Sequence, residues 1–72
     1  MDALDEQLLR GLAEGGQLTA DELAQRIHAR HWADLSTVLA QLVAGGYVTV
    51  IGPPGRAETR YKIHPRGRAA LG

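Results

Sequence analysis

Residues 33–71, ADLSTVLAQLVAGGYVTVIGPPGRAETRYKIHPRGRAAL, hold the pattern that decides the fold. Leu35, Val38, Leu39 and Leu42 recur at i, i+3, i+4 and i+7, which predicts a helix over 34–45 with Asp34 as its N-cap. Gly45-Gly46 stops it. Tyr47, Val48, Thr49, Val50 and Ile51 are all β-branched or aromatic and read as a strand. Gly52-Pro53-Pro54-Gly55 breaks that strand, and a loop runs on to Glu58. Residues 59–64 form a second strand, with Tyr61 and Ile63 alternating against Arg60, Lys62 and His64. Pro65 has no N–H to donate and ends the pairing. Residues 66–71 follow as a short helical turn or tail, whose Leu71 can close the core.

Two more helices precede this unit. Leu4, Leu8, Leu9 and Leu12 sit at helical spacing, so 3–14 read as an amphipathic helix that Gly15-Gly16 ends. Thr19 followed by Glu22 is a capping box, where each side chain satisfies a backbone N–H of the first turn. Leu23, Ala24 and Ile27 then give the buried stripe of a helix over 20–30. The order is helix, helix, helix, strand, loop, strand: an α+β chain, mostly α, read as one domain over 1–72.

Length and charge narrow the function. A chain of 72 residues buries about 60% of its unfolded surface around one small core. It has no cysteine, hence neither disulfides nor thiolate metal ligands, and no apolar run near the ~20 residues of a membrane span. The acidic N-terminus is unlike a secretory signal, so the expected compartment is the cytoplasm. The net charge of zero hides an asymmetry. Residues 1–22 hold six acids and one base, and residues 23–72 hold seven bases and two acids. Five of those bases fall between Arg56 and Arg68. This dipolar split suits an anionic partner on one face, although cations on a strand also guard a sheet edge.

The chain resembles a winged helix-turn-helix domain. "LTADELAQRI" stands for the first helix of the motif, "STVLAQLVAGGYV" for the second, and "TRYKIHPRGRAAL" for the return strand and tail. The last stretch is similar to the Y-x-L-T-x-x-G-R-x-x-L ending of MarR- and PadR-like bacterial regulators, with Ile63, His64, Gly67, Arg68 and Leu71 in those places. The long flanking helices through which those regulators dimerise have no counterpart in these 72 residues, so a monomer or weak homodimer is expected.

The resemblance implies a bacterial or phage transcription regulator that binds double-stranded DNA. The 34–45 helix would enter the major groove and the basic 52–64 wing would meet the backbone. The helix face opposite the leucine stripe is Ala33, Thr37, Ala40 and Ala44, flanked by Ser36 and Gln41. It holds no Arg or Lys for guanine, but Gln41 suits adenine, and Thr37 or Ala40 suits a thymine methyl. The expected DNA contacts are Ser36, Thr37 and Gln41 on the helix and Arg56, Arg60, Lys62, Arg66 and Arg68 in and after the wing. Arg26 and Arg30 stand beside the helix, and Arg30 joins the expected contacts. The same smooth strip lets another helix approach closely, so the rival reading is a protein-docking module using the Ala-rich face of 34–45. Trp32, just before that helix, is either a packing residue or an aromatic binding anchor.

No enzyme is expected, because the chain offers no nucleophile, base and orienting group in concert and little room for a cleft. No cofactor is called for. His28 and His31 lie one turn apart, but without cysteine or a carboxylate cluster they read as helix-end histidines rather than metal ligands. The helical stripe itself is testable. Leu39→Ala should cost about 2–5 kcal/mol, the range for emptying a packed site, and a melting temperature equal to that of the parent would refute the assignment.

Overall fold

A computed structural model describes residues 3–28 and 32–72, apart from the side chain of Trp32. The elements run α1 (Ala3–Gly15), β1 (Leu18–Thr19), α2 (Ala20–Arg26), α3 (Trp32–Ala44), β2 (Val48–Ile51), β3 (Arg60–Ile63) and α4 (Pro65–Ala70). The three strands form one antiparallel sheet in the order β1-β3-β2. The α+β class and the hairpin stand as expected, and the sheet gains a third strand, β1. Its two residues pair with β3, Leu18 opposite Tyr61 and Thr19 opposite Arg60. The tail is a helix, α4.

Leucine builds the core. Leu8, Leu9 and Leu12 of α1, Leu23 of α2, and Leu35, Leu39 and Leu42 of α3 are buried against Val48 and Ile63 of the hairpin. Leu71 is half-buried beside them. Each stripe follows the 3.6-residue period of its helix. No helix among the described residues is long and apolar enough to cross a membrane.

Two helix boundaries differ from the expectation. α2 ends at Arg26 rather than at 30, because His28 takes a left-handed φ of 56° that no α-helix continues through. α3 begins at Trp32, so Asp34 lies in its first turn, where its carboxylate faces the positive end of the helix dipole, and is not the N-cap. The capping box is present: the Thr19 N–H donates to Glu22 Oε1 at 2.8 Å and the Glu22 N–H donates to Thr19 Oγ1 at 3.2 Å. α3 ends in a Schellman motif, with the Tyr47 N–H on the Leu42 carbonyl, the Gly46 N–H on the Val43 carbonyl, and Gly46 at φ 80°.

α4 is tied tightly to that turn. His64 caps it, its Nδ1 accepting from the Arg66 N–H at 3.1 Å, and Pro65 opens the first turn. The His64 N–H donates to the Tyr47 carbonyl at 3.0 Å. Gly67 is buried so close to the same carbonyl that a Cβ there would lie 2.4 Å from its oxygen and 2.9 Å from Ile63 Cγ1. This accounts physically for a glycine inside a helix.

Two outcomes follow from these contacts. Alanine is about 1 kcal/mol better than glycine within a helix, yet overpacking costs about 1–3 kcal/mol. Gly67→Ala should therefore lower the melting temperature, and a rise would contradict the close approach. Separately, the Thr19 backbone N–H, then the Thr19 hydroxyl, and more weakly Arg60 hold the Glu22 carboxyl below its ordinary pKa. A depressed folded pKa gives stability that is complete above the unfolded value and fades as pH falls through the folded one. Glu22→Gln should therefore flatten the acid limb of the stability–pH curve without steepening any other part of it.

Candidate functional site

The amphipathic period of α3 leaves one face uncovered. Ala33, Ser36, Thr37, Ala40, Gln41 and Ala44 are exposed, while Leu35, Leu39 and Leu42 are buried. Val38 is half-buried, on the core side. The Thr37 hydroxyl donates to the Ala33 carbonyl at 2.9 Å, which fixes its rotamer and leaves its oxygen free to accept.

Between this helix and the hairpin lies an open groove of about 640 Å³. Leu39, Ala40 and Val43 of α3 form one wall, Val50 and Tyr61 the opposite one, and the loop over Pro54, Gly55, Arg56 and Ala57 closes the end. Ser36 and Asp21 stand on the rim near the start of α2. The walls are apolar, and the two charged groups on the lining, Arg56 and Asp21, have opposite sign.

The hairpin register explains where the other cations go. Val48 pairs with Ile63 and Val50 with Tyr61, and these four face the core and the groove. Thr49 pairs with Lys62 and Ile51 with Arg60. Because side chains alternate along a strand, Arg60 and Lys62 emerge on the outer face of the sheet, away from α3. Arg60 is near enough to Glu22 to help lower its pKa.

Arg66 is elsewhere again, with its guanidinium 5.1 Å from the centre of the Tyr47 ring at the base of the hairpin. Arg68 is exposed on α4, which rests on α1 and β3. Arg26 reaches α1 instead of flanking α3, pairing with Glu14 at 3.7 Å. Arg30 and His31 lie outside the described residues.

Of the residues expected at the site, Ser36 and Arg56 thus line one groove, and Thr37 and Gln41 lie on the exposed face of α3. Arg60, Lys62, Arg66 and Arg68 do not share it. Asp21 and Val43 were absent from the expectation. The helical spacing of Val43, four residues beyond Leu39, could have drawn attention to it; Asp21 offers no comparable signal.

Comparison with known proteins gives the fold a class. No protein-family model and no curated protein matches the chain. Solved structures do. A MarR family transcription regulator superposes with a TM-score of 0.85 at 24% identity, over 99% of this chain and 47% of its own. BpsR of Bordetella bronchiseptica, whose DNA binding is regulated by 6-hydroxynicotinic acid, gives 0.85 at 21%, over 99% and 54%. A mutant MarR from E. coli complexed with operator DNA gives 0.82 at 21%, over 99% and 51%. The chain therefore has the winged-helix fold of MarR-family regulators. It spans about half the length of these neighbours.

Proposed function

We propose that this chain is a non-catalytic, cytoplasmic winged-helix module that binds double-stranded DNA for transcription regulation. In this reading α3 lies in the major groove, with Ser36, Thr37 and Gln41 toward base edges, and the 52–64 wing meets the backbone. The observation that carries it is the uncovered α3 face beside a wing loop bearing Arg56. A neighbour of the same fold solved with operator DNA supports it. Arg56, Arg60 and Lys62 supply phosphate contacts from the two sides of the hairpin. Arg66 and Arg68 are weaker contributors, Arg66 because its cation is already engaged by Tyr47.

One observation favours a second reading, protein docking. The groove walls are apolar and Asp21 shares its rim, a poor lining for phosphate. The occupant would then be a helix packed against Ala40 and Ala44.

A salt titration separates the two. Each phosphate neutralised contributes about −0.9 to the slope of log K against log salt, so three wing cations give about −3. Arg56→Gln should weaken binding on all sequences and flatten the slope by about one. Arg66→Gln should flatten the slope less than Arg56→Gln does and lower the melting temperature. Gln41→Ala should change sequence preference instead. Ala40→Arg adds a cation facing the DNA, so binding should hold or rise, whereas a docking face would be blocked. The DNA reading fails if the protein ignores duplex DNA at low salt, or if neutralising Arg56, Arg60 and Lys62 together costs no affinity.

A further inference from the structure

The rings of Pro53 and Pro54 fix two φ angles of the wing loop, but its side chains are not packed into the core. Residues 52–58 are exposed throughout, and Gly52 and Gly55, at φ 89° and 73°, have no side chain to anchor the loop. What fixes the loop is one residue at its exit. Thr59 is the one buried polar side chain among the described residues, 1% exposed. Its hydroxyl donates to the Pro53 carbonyl and accepts from the Arg56 N–H at 3.0 Å. Its own N–H donates to the Arg56 carbonyl at 3.2 Å. Arg56 is thus gripped through both its N–H and its C=O, and Pro53 is drawn in beside it.

We infer that Thr59 is a positioning residue for the DNA-contacting wing. It has no access to DNA, yet it sets the loop so that Arg56 stands at the end of the α3 groove before any partner arrives. Holding a contact in its bound geometry removes an ordering cost from association. Two features make the hydroxyl the active part. It is the only group of Thr59 that bonds to Pro53, and its acceptor role cannot be filled by a methyl. The inference rests on the DNA reading above, and the test keeps the two apart.

The comparison uses Thr59→Val, which keeps the shape and deletes the hydroxyl, and Thr59→Ser, which keeps the hydroxyl. Amide exchange is read in the free protein, and affinity for a short duplex at low salt is read for each variant with and without Arg56→Gln. Thr59→Val should speed exchange at the Arg56 N–H and weaken DNA binding about 2- to 10-fold, the worth of one or two net hydrogen bonds. Thr59→Ser should restore both. On an Arg56→Gln background, Thr59→Val should cost nothing further, because the group it positions is gone.

An additive loss on that background, or a full loss in Thr59→Ser, overturns the positioning role while leaving the DNA reading intact. A parent protein that does not bind duplex overturns both. Should Thr59→Val fail to fold, the parent decides: an Arg56 N–H that exchanges as fast as that of exposed Ala57 sinks the inference.

Discussion

The alternation of β3 governs both the core and the charge map. Successive side chains on a strand face opposite ways, so once Tyr61 and Ile63 turn inward, Arg60 and Lys62 must turn outward. A slip of one residue would exchange the two sets and put two cations into an aliphatic core. Partners on both sides forbid that slip. Val48 and Val50 fix the register from β2, and Leu18 fixes it from β1, packed against the core opposite Tyr61. The price of that register is that two wing cations leave the α3 side. Arg56 keeps its place because it lies in the loop, where the pleat no longer dictates direction.

Much of this was legible in the sequence, and what was not has identifiable causes. α1 and α3 are each 13 residues long, enough for a leucine stripe to repeat and name its face. β1 is two residues long, too short for any period, and Thr19 was already accounted for as a cap. The end of α2 escaped because spacing reports which side chains can be buried, not where the backbone turns, and the turn is made by His28, a residue with no helix-breaking signature. Asp34 has the chemistry of a cap and equally of a first-turn acid, and spacing does not separate the two. At the site, counting bases along the hairpin merged groups that the pleat divides. Thr59 reads only as the first residue of the 59–64 strand, because nothing in the alternation signals a hydroxyl that reaches back six positions to Pro53.

The base of the hairpin is a corner where several unrelated-looking residues do one job. Tyr47 closes the Schellman turn of α3 with its N–H, receives the His64 N–H on its carbonyl, and offers its ring to Arg66. Gly67 lets α4 come down onto that same carbonyl. These contacts join the end of α3 to the start of α4 through backbone groups, which cannot adjust as side chains do. These contacts therefore fix how the end of α3 meets the base of the hairpin.

In the DNA-binding reading proposed above, affinity and selectivity reside on different elements. The α3 face is small and uncharged, so it can discriminate bases only through Gln41, Thr37 and methyl contacts, each worth about 1–3 kcal/mol at best. Attraction to phosphate would come from the hairpin and be blind to sequence. The net charge is zero, and the fold mixes the acidic first third with the basic remainder, pairing Arg26 with Glu14 and bringing Arg60 near Glu22, so local rather than net charge would attract a polyanion. A change in wing geometry should thus scale binding to all sequences alike, and a change on α3 should re-rank sequences at similar overall strength. In that reading Thr59 belongs to the first kind although it would touch neither base nor phosphate, because a buried hydroxyl that orders Arg56 would act on the wing's attraction alone.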